Sequence, residues 1–380
     1  MPVPLPSAQA TKLTPPDADE VAAVARGVAT AVAPEGGLTG LQVSMINAIT
    51  ESMTGIAVDC RDVEPLSAEG LAEALAPRNT RYRTRIVQNM LLAELVLVPL
   101  PEDVADRVER YAAELSVGEE LLTVARDLAH GSLGLAAIDF QRAGYSAAWD
   151  DSRCEALHTS RALSDAWEQT VHDPALAERW AALEHCPDGS LGRDVWRFYT
   201  SRGFRFPGTP GSAPPLLAQH DWVHVIADYG TKVENEIEVF AFIARANDDP
   251  RGFSLLAMVI SLFETGYLAT GAGLFQYDRG HLSGIDGMTV RLADAMYRGA
   301  TCGGICGGLD LLAVDWFEHA DRPVREVREW LGAVPKSAAA LAAGSVGPFE
   351  PGSMSSYQMD AARALAIEQG REHLTYGASV

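Results

Sequence analysis

The sequence predicts an all-α protein, and three observations carry that prediction. From Leu38 onward apolar residues recur three or four apart, Ala and Leu are abundant, and clean two-residue alternation is nearly absent. A helix presents one apolar stripe at that period, so the expected architecture is a helical bundle.

Residues 1–37 are rich in Pro, Ala and Gly, end in Pro34-Glu35-Gly36-Gly37, and read as a flexible lead-in. Helical spacing then runs through Leu41–Ala57, Leu71–Leu75, Ile86–Val98, Val104–Leu115, Leu121–Ala137 and Ser160–Val171. The run Leu95-Val96-Leu97-Val98 looks like a strand, but it continues a helical pattern and stops at Pro99, so it is a helix end. A faint repeat lies inside this half. Ile49–Leu75 reads as helix, acidic turn (Asp59, Asp62, Glu64, Pro65), helix, and Ile86–Leu115 repeats the plan around Pro99–Asp103, with Met90 opposite Met53 and Leu100 near Leu66. Two stacked helical hairpins would bury a stripe that neither could bury alone. Over about 40–130 the pattern resembles small all-helical modules of the tellurite-resistance TerB type. The expected division is a lead-in (1–37), a helical module (38–150), a second helical domain (151–340) and a C-terminal extension (341–380).

With 380 residues, 47% of them apolar, the chain is long enough for two domains or one large one. Lys and Arg total 30 against 51 Asp and Glu, a formal charge of −21 that repels phosphate backbones, so nucleic-acid binding is excluded first. The five cysteines show no Cys-x-x-Cys spacing, which argues against a disulfide framework or a thiolate zinc site and fits a reducing cytoplasm. No basic-then-apolar export signal opens the chain. Phe253–Phe263 and Met90–Pro101 are far shorter than the roughly 20 residues a spanning helix needs. The expectation is a cytoplasmic protein, peripheral at most to the inner face of the membrane.

The chemistry concentrates after Pro187. Pro187-Asp188-Gly189-Ser190-Leu191-Gly192-Arg193 leads into Trp196–Tyr199, then a Gly/Pro loop from Gly203 to Pro215. Leu216–Tyr229 has helical spacing after two prolines, which suit a helix start, and Gly230 is placed to end it. On that helix His220 and His224 share a face and Asp221 sits three before His224, so all three can converge on one ion. A second helix from near Val233 brings Glu236 back toward the same point. Two imidazoles and two carboxylates suit Zn²⁺, Fe²⁺ or Mn²⁺, with two negative charges to neutralise a buried divalent ion.

His220-Asp221-x-x-His224, followed by eleven residues and Glu236, resembles the signature of the coenzyme Q biosynthesis protein 4 family. The resemblance spans about 130–335 and includes the Pro187–Arg193 element and Val324-Arg325-Glu326-Val327-Arg328. It implies that His220, Asp221, His224 and Glu236 are metal ligands, with zinc the usual ion. It also implies a helical protein, peripheral to membranes, that takes part in removing the ring carboxyl group and installing oxygen there during ubiquinone synthesis. The long N-terminal half, the long Phe204–Pro215 loop and the extension past Gly344 depart from the mitochondrial members.

Other residues carry weaker signals. Arg193, Arg197, Arg202 and Arg205 precede the metal helix in a protein short of positive charge; they either hold a substrate carboxylate or phosphate or pair with Asp188 and Asp194. Asp228 could orient a ligating imidazole, since such rings usually donate their other N–H to an acceptor; Glu234 and Glu238 point away. Tyr199, Tyr229 and Tyr267 could donate protons to a ring, or simply fill the core. The loop Gly280–Gly287, with His281 and Asp286, is either a lid or a plain connection. Gly303 and Gly307, in the run from Gly299 to Gly308, form either a groove for a flat ring or isoprenoid tail or a close helix crossing, with packing favoured over the groove; Cys302 and Cys306 are small core residues.

The leading expectation is thus a metal-dependent enzyme, a lyase or oxidoreductase acting on an aromatic or quinone-like small molecule, with or without an isoprenoid tail. The alternatives are a metal-stabilised, lipid-binding scaffold for a biosynthetic complex, and a secondary-metabolite tailoring enzyme. The extra N-terminal half offers a surface for biosynthetic partner proteins or for a homodimer.

Overall fold

The computed structural model describes residues 14–61, 63–118, 121–130, 172–213, 215–247, 252–267 and 279–373. Fifteen α-helices and no strand occur among them, so the protein is all-α. Contacts divide the chain into two units.

The first unit comprises 1–145, 250–269 and 279–297. It contains α1 (Ala18–Val32), α2 (Gly40–Thr54), α3 (Ala68–Ala74), α4 (Thr80–Glu94), α5 (Glu102–Glu114) and α6 (Leu121–Ala129). Starts are written in the caps: Asp17, Thr39, Ser67 and Asn79 each accept a backbone N–H from the first turn, and Thr39 and Gln42 form a reciprocal box. The lead-in expected over 1–37 is corrected over α1, while 1–13 lie outside the described residues. Val21, Val24, Val28 and Val32 form a fully buried stripe on α1, each worth about 1.5–3 kcal/mol relative to exposure, and α1 packs against α2, α3, α4 and α5. The stripe shared by the two hairpins is therefore closed by α1. Gly27 permits the approach, because a methyl there would meet Leu71 at 2.6 Å. The helix expected over Leu121–Ala137 is α6 as far as Ala129, with 131–137 outside the described residues, and the one expected over Ser160–Val171 lies wholly outside them.

The same unit takes in Gly252–Ile260, named α11 because four helices of the other unit precede it, and the π-turn Ser261–Thr265 that follows. The expected boundary at 150/151 is thus corrected as well, since 250–269 and 279–297 return to the first unit. Apolar spacing marks which face of a helix is buried, not which partner buries it.

The second unit comprises 146–249, 270–278 and 298–380. It holds α7 (Pro174–Ala181), α8 (Leu191–Arg202), α9 (Pro215–Ala227), α10 (Val233–Ala246), α13 (Val324–Leu331), α14 (Ala338–Ala342) and α15 (Ser356–Glu368). Helix α12 (Met288–Cys306) is divided at Tyr297/Arg298 between the two units. Gly189, at φ +76°, turns the chain into α8, whose first free N–H groups on Leu191 and Gly192 donate to the carbonyls of Arg322 and Ala320 at 2.9 and 2.8 Å. The Pro187–Arg193 element and the approach to α13 are therefore neighbours. The expected C-terminal extension is integral to this unit: α15 packs on α8 closely enough that a methyl on Gly203 would lie 2.5 Å from the Ala362 backbone.

Gly303 sits where a methyl would meet the Ala246 carbonyl of α10 at 2.6 Å. Gly307 and Gly308, both left-handed, end α12, with the Gly308 N–H bonding to the Gly303 carbonyl at 2.7 Å. No helix among the described residues is long and apolar enough to cross a membrane.

Candidate metal centre

Helix α9 carries His220 and His224 one turn apart, with ring centroids 5.1 Å from each other. One donor atom from each of His220, Asp221 and His224 can be chosen so that all lie within 4.8 Å of one another. The first turn of α10 adds Glu236, whose Oε2 is 3.3 Å from Nε2 of both His220 and His224. A carboxylate is favoured there because the N-terminal end of a helix carries partial positive charge. The four side chains are 10% (His220), 7% (Asp221), 0% (His224) and 5% (Glu236) exposed, so the donors face a largely dry interior.

The imidazoles are oriented from behind. His220 Nδ1 bonds to the Leu217 carbonyl, and His224 Nδ1 to the Tyr229 carbonyl at 3.3 Å. A carbonyl only accepts, so Nδ1 carries the proton and Nε2 is directed at the cluster. Phe240 stacks on His220 at 4.8 Å and Phe198 lies tilted against His224 at 5.3 Å. Among the described residues, buried His224 Nε2 has Glu236 Oε2 at 3.3 Å as an ion-pair contact outside good hydrogen-bond geometry, so a cation between them would satisfy both atoms better. Two such nitrogens and two carboxylates fit a divalent ion.

The electrostatics agree. Burial opposes a charge on His220, but Asp221 and Glu236 outweigh it and raise its pKa to about 9. Burial also opposes the Glu236 carboxylate, yet His224 and His220 pull its pKa down to about 2. Asp221 is shifted the other way, chiefly by burial, and the Tyr199 phenol is held well above its ordinary range by burial and the Asp221 charge. Without an ion, a proton on His220 does the neutralising.

The C-terminal end of α9 is held by cations. Arg328 donates to the carbonyls of Val225 and Ile226 at 2.9 and 2.8 Å, and Arg298 to that of Ala227 at 2.8 Å. Positive charge is stabilising at that end of a helix, and these bonds satisfy carbonyls with no partner inside it. The helix stops because Asp228, not Gly230, adopts the left-handed conformation, at φ +66°. Asp228 forms ion pairs with Arg328 and Lys336 at 3.4 and 3.5 Å and touches neither imidazole; the acceptor expected of it is supplied by the Tyr229 carbonyl. The Tyr229 hydroxyl accepts from Arg298, so as candidate catalytic groups Asp228 and Tyr229 are both tied to the helix end. Gly230 is needed for space, since a methyl there would lie 2.7 Å from the Ser353 carbonyl. Thr231 bonds to Arg202, Ser353 and Gln358, fastening the turn between α9 and α10 to the 345–358 segment.

Other sequence candidates lie elsewhere. Arg193 and Arg197 pair with Asp188 at 3.6 and 2.7 Å, and Arg205 with Glu368 at 3.2 Å. Arg202 is fully buried, bonded to Thr231 Oγ1 and Ser201 Oγ at 2.8 and 2.9 Å and to the Phe198 and Pro348 carbonyls. Each guanidinium has a local partner, and Arg202 acts as a strut. Gly303 lies against the Ala246 carbonyl of α10, whereas Gly307, with nothing within 4 Å of a methyl there, ends α12 in the left-handed conformation. Glu238 accepts from Asn235 at 2.8 Å. Tyr267 bridges Leu97 and Leu100 in the first unit, where Glu264 also holds the Gly280–Gly287 loop through the N–H groups of Leu282 and Ser283. Sequence reading missed Arg298, Thr231 and the rings of Phe198 and Phe240. None has a spacing that marks it before the helices are assembled.

No family model matches the chain, and no curated protein matches it. Among solved structures it is similar to a protein of Nostoc punctiforme PCC 73102 described as a "Putative ubiquinone biosynthesis protein", at 20% identity over 67% of this chain and 98% of that one, with a TM-score of 0.29.

Proposed function

We propose that this protein is a divalent-metal-dependent enzyme acting on an aromatic or quinone-like ring that bears a carboxyl or hydroxyl group. His220, Asp221, His224 and Glu236 would hold the ion, with Zn²⁺ first and Fe²⁺ or Mn²⁺ next by donor chemistry. The observation that carries this reading is the convergence of Nε2 of both histidines on Glu236 Oε2 at 3.3 Å, with His224 Nε2 buried and outside good hydrogen-bond geometry. The sequence signature around these four residues supports ring decarboxylation or hydroxylation of the ubiquinone type. A bound ion supplies Lewis acidity that polarises a ring substituent.

The chain's own residues supply the rest. His220 is the most exposed of the four, with Phe240 stacked on it, and this is the side from which a ring would approach the donors. The carbonyls of Leu217 and Tyr229 keep both imidazoles in one tautomer, and the aromatic packing excludes water and strengthens the electrostatics inside. The test pairs metal analysis with turnover of carboxylated phenols, with and without an isoprenoid tail. About one equivalent of metal is expected from the wild type, with release of carbon dioxide whichever ion is bound, or of a hydroxylated ring when dioxygen is supplied as the oxidant and the ion is the redox-active Fe²⁺ or Mn²⁺. Both should be lost in Glu236→Ala, and normal turnover without metal would contradict the proposal.

The depth of burial favours a second reading, in which the ion is structural and the protein is a scaffold. Azide added to the Co²⁺-loaded protein separates the two: shifted visible bands mark a reachable ion and unchanged bands a sealed one.

A further inference from the structure

We infer that Tyr199 is a positioning residue that divides the two oxygens of Asp221, engaging Oδ2 so that Oδ1 alone is offered to the metal cluster. The inference rests on the metal-centre reading above. The Tyr199 hydroxyl donates to Asp221 Oδ2 at 2.5 Å, while Oδ1 of the same carboxylate lies 3.5 Å from His220 Nε2. A carboxylate can accept through both oxygens or bind an ion through both, and a phenol fixed on one restricts that choice.

The phenol has little freedom to leave. Tyr199 is 1% exposed, so no bulk water competes for its proton. Its ring is boxed by Trp180 at 5.0 Å, Phe204 at 5.8 Å and Phe206 stacked at 5.5 Å. Phe204 and Phe206 come from the loop after α8. That loop is tied down where the Asp173 N–H bonds to the Gly208 carbonyl at 2.8 Å, so the long Gly/Pro segment has a definite task in walling in the tyrosine. Helix α8 thus reaches the cluster on α9 through this hydroxyl and the Phe198 ring.

The test compares Co²⁺ binding by wild type and Tyr199→Phe, read by the visible absorption bands and by competition with a chelator. The expected result is equal stoichiometry, an affinity roughly 10–100-fold weaker, and displaced bands in the variant, because the freed Oδ2 changes how Asp221 meets the ion. Identical bands and affinity in a folded variant would overturn the role of Tyr199 and leave the metal centre standing. Failure of the wild type to take up Co²⁺ would overturn the metal centre and, with it, this inference. If Tyr199→Phe does not fold, 3-fluorotyrosine at position 199 keeps the shape and makes the hydroxyl a stronger donor; bands that do not move would then count against the inference.

Discussion

Nε2 of His220 on α9 stands 3.3 Å from Oε2 of Glu236 on α10, a contact that joins two consecutive helices across the turn from Asp228 to Lys232. Its geometry depends on where α9 ends and on how that turn is held. Arg328, Arg298 and the 345–358 segment set both, so residues far along the chain decide whether four donors meet.

Removing the cap should therefore weaken metal binding from a distance. Arg328→Ala leaves the carbonyls of Val225 and Ile226 without their charged donor and should cost about 1.5–3 kcal/mol of stability. Its metal affinity should fall although no ligand has changed. Thermal unfolding of the chelated protein and chelator competition measure the two effects separately.

Gly303 and Gly304 distinguish tight packing from a ligand groove. A methyl on Gly303 would press on the Ala246 carbonyl, so Gly303→Ala should destabilise by about 1–3 kcal/mol. Gly304 has nothing within 4 Å of such a methyl, so Gly304→Ala should stabilise by about 0.5–1 kcal/mol through helix propensity alone. Denaturant melts of the two variants should move in opposite directions.

The metal-free protein should lose stability in alkali. His220 has a folded pKa of about 9 against an ordinary 6.5, so the fold favours its charged form. That contribution is fully present below pH 6.5 and is lost as pH rises through 9. Melting temperatures of chelated protein should fall across this window, with a flatter profile in His220→Ala. A metal-loaded sample should not show the fall, because the ion replaces the proton.

Glu94 on α4 is fully buried, and neither carboxylate oxygen finds a hydrogen-bond partner among the described residues. Burial raises its pKa well above the usual range, with Arg107 opposing, so the fold favours the neutral acid and loses stability as pH rises above 4.5. Glu94→Gln should stabilise the protein at neutral pH by about 1–3 kcal/mol, with the gain shrinking toward pH 4.5. A melt series against pH reads both the sign and the trend.

Most of the helices, and the placing of His220, Asp221 and His224 on one helix with Glu236 at the start of the next, were legible in the sequence because they depend on local spacing. His220 and His224 share a face by helical period, and the caps at Asp17, Thr39 and Ser190 are written where the helices start. Helix α1 reads as a linker by its Ala-rich composition, although Val21, Val24, Val28 and Val32 keep the spacing of a buried face. The return of 250–269 to the first unit and the embrace of the 228–232 turn by 345–358 are long-range pairings with no local signal. The four arginines before α9 read either as an anion site or as partners of nearby acids; Arg193 and Arg197 pair with Asp188, while Arg202 and Arg205 meet Pro348 and Glu368, long-range partners that no local spacing marks.

The most direct measurement of the central claim is the metal content of purified wild type, His220→Ala and Glu236→Ala, determined by inductively coupled plasma mass spectrometry after dialysis against trace metal. The account predicts about one divalent ion per chain in the wild type and less than a tenth of that in either variant, with helicity retained by circular dichroism. A wild type that stays metal-free, or folded variants that keep a full equivalent, would contradict it.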